Sequence, residues 1–282
     1  MRILITGGGG HLATALQTEL IQHESFAYPR AELDITDKEA VFTAVSNTKP
    51  DLIIHPAAYT NVDGCAKDPD YAYKVNALGT QNVALACQTF DVQLVHISTN
   101  EVFAGDNPAG YEEWMPKNPV NAYGRTKAAA EGHVQNLLTR YYIVRPAWLY
   151  APQGRNFIHA ILDRARSTGQ LRVVTDEVGN PTYTQDVAKA IGQLIETEQY
   201  GIYHFVNSGS CSRWAFANEI LRLAGLTDVV NTPILGKEFK RPSTPPPHCA
   251  LHNIAGKAIG IELRPWQDAL AEYMQNYTNN PS

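Results

Sequence analysis

Short apolar runs and stretches with helical spacing alternate along the first half of the chain. Ile3-Leu4-Ile5 predicts a strand and Leu12–Ile21 a helix. A second strand ends near Tyr28-Pro29-Arg30, Lys38–Ser46 predicts a helix, Asp51–Ile54 a strand, and Tyr71–Thr89 one long helix. Val92–Ile97 and Tyr141–Val144 have strand character, with the helical stretch Ala122–Leu138 between them. Apolar strands alternating with helices predict a parallel sheet covered on both faces, a doubly wound α/β fold of the Rossmann type.

The alternation weakens after Tyr150. A helix over Asn156–Arg166, a strand over Leu171–Val174, a helix over Thr184–Ile195 and a strand over Ile202–Val206 follow. Ser212 suits the N-cap of a helix running to Leu223. The run Arg241-Pro-Ser-Thr-Pro-Pro-Pro247 excludes a helix or central strand and predicts a loop beside Lys237, Lys240 and Arg241. The last helix starts at Pro265 and ends near Tyr277. The expected organisation is a nucleotide-binding domain over 1–150, to which 183–208 returns. A smaller C-terminal substrate lobe, 151–182 and 209–282, would cover the carboxyl ends of the strands, where open α/β sheets bind ligands.

Composition narrows the class. The 282 residues are 44% apolar and 18% charged, enough for a sizeable core. A net charge of −5 gives no sign of a nucleic-acid-binding face. No apolar run reaches the ~18 residues of a membrane helix, and the apolar stretch after Arg2 is too short for a secretory signal. Cys65, Cys87, Cys211 and Cys249 form no Cys-x-x-Cys pair, which predicts reduced thiols in a cytoplasmic protein. The nine histidines show no metal-ligand spacing. His55 and His96, at strand ends, read more simply as buried histidines than as pocket residues.

Thr6-Gly7-Gly8-Gly9-Gly10-His11-Leu12-Ala13 joins the first strand to the first helix. Glycines there let the backbone turn tightly and approach a pyrophosphate, and the helix N-terminus offers free N–H groups. Gly7-x-x-Gly10-x-x-Ala13 and Gly8-x-Gly10-x-x-Ala13 both fit, so the register stays open. After the second strand, Arg30 suits a 2′-phosphate or a solvated surface. Asp34 suits either the adenine side or the start of the next helix. Tyr123 and Lys127, four residues apart, share a helix face. A cation near a phenol lowers its pKa and helps it exchange protons. Ser98-Thr99 ends a strand 24 residues before Tyr123 and offers a hydroxyl to the same carbonyl oxygen.

Taken in order, these segments resemble the extended short-chain dehydrogenase/reductase superfamily, and within it the dTDP-4-dehydrorhamnose reductase family. Further matches are Leu33-Asp-Ile-Thr-Asp37, Ala57-Ala-Tyr-Thr-Asn-Val-Asp63, Val75-Asn76-Ala77, Ile97–Phe103, Asn121–Lys127, Arg145–Tyr150, Gly154–Phe157, Gly179–Thr182 and Leu263–Trp266. The resemblance implies NAD(P)H-dependent reduction of the C4 keto group of a deoxysugar nucleotide. Tyr123 would be the general acid, Lys127 the holder of the nicotinamide ribose, and Thr99 a hydrogen-bond donor to the carbonyl. Gly7, Gly10, His11, Leu12, Arg30, Asp34, Ala57, Ala58, Tyr59 and Asn76 would line the cofactor, and Glu101, Trp148 and Asn156 the sugar nucleotide. Trp148 reads equally as a core aromatic, and Asn156 as a helix cap.

NADPH is the expected cofactor, from Arg30, with NADH the alternative. A small-molecule sugar nucleotide is the expected partner, without nucleic acid or membrane, and a homodimer is left open. Two departures from the family stand out. Asn100-Glu101 occupies the place of its usual Asp-Tyr, and Pro245-Pro246 that of an Arg-Pro pair, leaving Arg241 or Lys240 to meet a diphosphate. Two other functions remain. An epimerase or dehydratase of the same superfamily would use Asn100-Glu101. A non-catalytic NADP-binding subunit would resemble the beta subunit of methionine adenosyltransferase.

Overall fold

A computed structural model describes residues 1–279. Its main elements begin with β1 (Arg2–Thr6), α1 (His11–Glu19), β2 (Glu24–Tyr28), α2 (Lys38–Thr48), β3 (Leu52–His55), α3 (Gly79–Phe90), β4 (Gln93–Ile97) and α4 (Ala122–Leu137). They continue with β5 (Tyr141–Arg145), α5 (Phe157–Thr168), β6 (Gln170–Val174), α6 (Thr184–Leu194), β7 (Gly201–His204), α7 (Arg213–Leu223), β8 (Val230–Ile234) and α8 (Trp266–Asn279).

Six strands form one sheet in the order β7-β5-β4-β3-β1-β2. Every pair in it is parallel. Leu4 lies between Phe26 of β2 and Ile53 of β3. The chain leaves β1 for β2 on one side and returns for β3 on the other, so the strand order reverses at β1. The crevice for a ligand opens there, at the carboxyl ends of β1 and β3.

Period-two alternation sends Ile3 and Ile5 to one face, under α1 and α6, and Leu4 and Ile53 to the other, under α2 and α3. Full burial of such a side chain contributes about 1.5–3 kcal/mol. The central strands β1, β3 and β4 are buried along nearly their whole length, while edge strand β2 is half exposed. The buried strands therefore anchor the loops of the site.

A second apolar cluster joins α5, α7 and α8 through Ile158, Leu162, Phe216, Ile220, Leu270 and Tyr273. Tyr150 and Tyr183 stack within it at 5.4 Å. Ser212 caps α7 by accepting the Ala215 N–H at 3.0 Å, and Pro265 directly precedes α8. No helix among the described residues is long and apolar enough to cross a membrane. The last three residues of the expected substrate lobe, 280–282, lie outside the described residues.

Two elements differ from expectation. The long helix over Tyr71–Thr89 is three pieces: Pro69–Tyr73, a π-helical turn at Lys74–Leu78, and α3. The widened turn carries Asn76, and the Thr80 hydroxyl donates to the Asn76 carbonyl at 2.7 Å. Strand β8 has no counterpart in the sequence pattern, because Pro233 interrupts the run and most of it is exposed. It pairs parallel with β6 in a two-stranded ribbon, where a proline is tolerated.

Candidate active site

The glycine loop turns at Gly7, whose φ of +64° favours glycine. A Cβ on Gly7 would lie 3.0 Å from Ala57 Cα, and one on Gly8 2.8 Å from the Ala27 carbonyl carbon. Nothing lies within 4 Å of a Cβ on Gly9. Gly7 takes the positive φ and Gly8 the closer backbone contact, and both registers share Gly10 and the fully buried Ala13. Gly10 precedes α1 in extended conformation with no side-chain cap, so the first N–H groups of the helix face the crevice.

The loop after β3 forms the facing wall. The Thr6 hydroxyl meets His55 Nδ1 at 2.7 Å. Burial pulls His55 down to about 3, so it stays neutral at the base of the wall. His55 and His96 are both fully buried beneath the site. Asn76 does not line the cleft. It is fully buried, accepts the Tyr59 N–H at 2.7 Å and donates to the Tyr59 carbonyl and the Thr126 hydroxyl, both at 3.0 Å. Asn76 therefore shapes the cofactor-side loop from behind. Asn156, from the expected sugar side, is also outside the cleft wall: it caps α5, accepting the Ile158 and His159 N–H groups.

The remaining expected residues converge on one cavity of about 750 Å³. It is lined by Gly7, Gly10, His11 and Leu12 from the glycine loop, by Arg30 and Asp34, and by Ala57, Ala58 and Tyr59. At its inner end stand Thr99, Glu101, Tyr123, Lys127 and Trp148. Arg30 is at the rim, 70% exposed and 3.7 Å from Asp34. Asp34 accepts the Thr36 N–H and hydroxyl at 2.9 Å, which holds its carboxyl below the usual range. Asp37, rather than Asp34, caps α2.

Helix α4 carries the phenol and the ammonium. Asn121 caps it, accepting the Gly124 N–H at 2.8 Å. The other end of the same amide donates to Glu101 Oε2 at 2.6 Å. Tyr123 and Lys127 are both buried. Burial and the Glu101 carboxylate push the Tyr123 phenol up, against a hydrogen bond with Thr99 that pulls it down. The lowering expected from Lys127 is not seen: burial and the neighbouring carboxylate, which both disfavour a phenolate, set the direction. Burial pulls the Lys127 ammonium down to about 8, with Glu131 opposing.

Asn100 is turned toward the C-terminal part of the chain. Its Oδ1 accepts from the Thr99 hydroxyl and its Nδ2 donates to the Cys249 carbonyl, each at 3.2 Å. An amide so engaged supplies no acid beside Glu101.

Arg213, absent from the expected set, borders both this cavity and a neighbouring groove of about 920 Å³. Its guanidinium lies 3.6 Å from the centre of the Trp148 ring and 3.7 Å from Glu177. Burial pulls it down to about 10. Trp148 has φ +41°, and Gly179 leaves room for its indole: a Cβ there would be 2.7 Å from Trp148 Cε2. Arg241 reaches the same groove and is held at 3.0 Å by Asp63, which also accepts from the Ser243 N–H and hydroxyl. Lys240 is exposed.

A nicotinamide dinucleotide fits this set. Gly7 and Gly8 bring the loop so close to Ala57 and Ala27 that a Cβ on either would collide, while the space beside Gly9 is open. The α1 N-terminus is open to a pyrophosphate. The Lys127 ammonium is buried without a hydrogen-bond acceptor among the described residues.

A family model described as the RmlD substrate binding domain matches residues 1–279. The chain belongs to that family. Among its relatives, the spore coat polysaccharide biosynthesis protein SpsK of Bacillus subtilis is 35% identical over 276 residues, covering 97% of each chain. A dTDP-4-dehydrorhamnose reductase of Mycolicibacterium smegmatis is 37% identical over 277 residues, covering 96% of this chain and 84% of that one. The crystal structure of dTDP-4-dehydrorhamnose reductase from Bacillus anthracis in complex with NADP superposes with a TM-score of 0.94 at 37% identity, covering 98% and 99%. At the inner end of the cavity, the buried Glu101 carboxyl lies within the fields of Arg213 and Arg241.

Proposed function

We propose that the protein is an NADPH-dependent reductase of the C4 keto group of a dTDP-linked deoxysugar. The observation that carries the proposal is the convergence of Thr99, Tyr123 and Lys127 in the cavity that begins at the glycine loop. The names of full-length relatives at about this level of identity support the substrate class.

NADPH, when bound, supplies a hydride. Gly7, Gly10, His11 and Leu12 would hold its pyrophosphate, Ala57, Ala58 and Tyr59 its nicotinamide side, and Arg30 and Asp34 its adenosine end. Lys127 would hold the ribose with its ammonium. Tyr123 is kept protonated at neutral pH by burial and by Glu101, so its Oη carries the proton that the C4 oxygen needs. The Thr99 hydroxyl orients that oxygen. A preorganised acid of this kind contributes typically 10²–10⁴-fold. Trp148 and Glu101 would border the sugar, and Arg213 and Arg241 would meet the diphosphate in the adjoining groove. In this reading 1–150 with 183–208 binds the cofactor and the remainder forms the substrate lobe. The reaction needs free nucleotide sugar and reduced cofactor, so we propose a cytoplasmic location for it.

The test follows absorbance at 340 nm with NADPH and enzymatically prepared dTDP-4-keto-6-deoxy-L-sugar, with NADH in parallel. Tyr123→Phe should bind NADPH normally and lose at least a hundredfold in kcat. Normal turnover by the Phe variant would overturn the assignment.

A further inference from the structure

Behind the cavity, facing away from any ligand, lies a fully buried carboxylate that the mechanism above does not use. Glu131 is 0% exposed and sits on α4, one turn beyond Lys127 and two beyond Tyr123. Its Oε1 accepts the Ser98 hydroxyl at 2.6 Å and Arg145 Nε at 2.8 Å. Its Oε2 accepts Arg145 Nη2 at 2.7 Å and lies 3.1 Å from Lys117 Nζ. Ser98 immediately precedes Thr99 at the end of β4. Arg145 ends β5, three residues before Trp148. One carboxylate thus joins the three elements whose ends build the site.

We propose that Glu131 is a positioning residue for the reduction, fixing the Thr99 strand end and the Tyr123–Lys127 helix against β5 and keeping the charge of the buried ammonium beside it.

Four acceptor contacts hold a group that burial alone would force to be neutral. The balance runs the other way: Arg145, Lys117 and Ser98 together hold Glu131 below the usual carboxylate range despite its burial. An ionised Glu131 is the opposite charge next to Lys127 on their shared helix. The other titratable groups around Lys127 are Tyr123 on α4, His55 on β3 and His96 on β4. Both histidines are held neutral by burial, and the Lys127 charge pushes them further down. Glu131 is therefore the anion that sustains the ammonium, which burial has already drawn down to about 8. A neutral lysine would lose its hold on a ribose hydroxyl.

The inference rests on the reductase reading for its turnover data only. Its binding data stand apart from that reading. In the full-length protein, Glu131→Gln should shift the alkaline limb of kcat/KM to lower pH by about one unit and lower kcat at least tenfold. NADPH affinity, read by cofactor fluorescence, should hold within threefold at pH 6 and weaken at least fivefold at pH 8.5. Glu131→Asp keeps the charge and shortens the reach, so it should restore the limb while kcat stays reduced. A purely architectural Glu131 would lower both variants alike and leave the limb and the pH dependence of NADPH binding unmoved, which overturns the proposal. If Glu131→Gln does not fold, Ser98→Ala decides. It cuts only the link to the Thr99 strand end and should lower kcat at least fivefold with NADPH affinity unchanged, and wild-type kcat there overturns the proposal. If the wild-type protein turns over no keto-sugar, the substrate reading fails, and the pH dependence of NADPH affinity still tests Glu131.

Discussion

Lys127→Met should make the protein more stable and inactive. Burial lowers the pKa of this ammonium from its ordinary 10.5 to about 8. A pKa lowered by one corresponds to about 1.4 kcal/mol, so the folded state carries a cost of up to ~3 kcal/mol for the buried charge. Methionine has a similar length, brings no charge, and leaves Glu131 with Arg145, Lys117 and Ser98. Replacing a buried charge by an apolar group of similar size is often stabilising. The cleft lets water reach the lysine and shrinks the gain, so ~1–3 kcal/mol is expected at pH 7. The sign of the pH dependence follows from proton counting. Between pH 8 and 10.5 the unfolded chain holds the Lys127 proton and the folded chain has lost it, so wild-type stability rises with pH through that window. The advantage of the Met variant is therefore full below pH 8 and gone above pH 10.5. Urea denaturation of both proteins at pH 7 and at several points up to pH 10.5 measures it, with unchanged m-values as the check on two-state behaviour. A Met variant equal to or less stable than wild type at pH 7 would refute the reasoning.

Asn76→Ala should cost about 2–4 kcal/mol in urea unfolding, since it removes three buried hydrogen bonds and strands the Tyr59 N–H. It should also weaken NADPH binding, and a loss under about 0.5 kcal/mol would count against its shaping role. Gly179→Ala drives a methyl into the Trp148 ring. It should cost about 1–3 kcal/mol and raise the KM for the sugar nucleotide, both of which unaltered values would contradict. Arg213→Met and Arg241→Ala should each raise that KM while leaving NADPH affinity within twofold. A fall in NADPH affinity instead would assign them to the cofactor.

The parts of the site legible in sequence are those whose chemistry is local. The glycine loop needs only a strand, a turn and a helix in succession. The Tyr123–Lys127 spacing needs only helical periodicity, and Ser212 caps its helix as its position indicates. What sequence does not show depends on residues far apart in the chain. Arg213 follows an N-cap like any surface residue, and only the fold lays it on Trp148, 65 positions earlier. Asn76 has the look of a cofactor residue because it falls in a cofactor-side segment. The π-turn directs its amide inward to Tyr59 instead. The pKa of Tyr123 escapes sequence reasoning for a similar reason. The cation at i+4 is visible there, whereas the desolvation and the Glu101 carboxylate require the closed cavity. Strand β8 lacks alternation and contains Pro233, so only its partner β6 defines it.

The Arg241–Asp63 pair joins the proline-rich segment, beside the second groove, to the helix Val62–Lys67 that follows the cofactor-side loop. Both side chains are roughly one-third exposed, so salt weakens their attraction much more than it would a buried pair. Traffic through the cleft should accordingly respond to ionic strength. Raising it from about 0.01 M to about 0.15 M shortens the Debye length from about 30 Å to about 8 Å. Release of a bound nucleotide should then quicken, and Asp63→Asn should already be quick at low salt. The tie at Asp63 would make residence time, rather than the chemical step, the property of this protein most open to tuning by its surroundings.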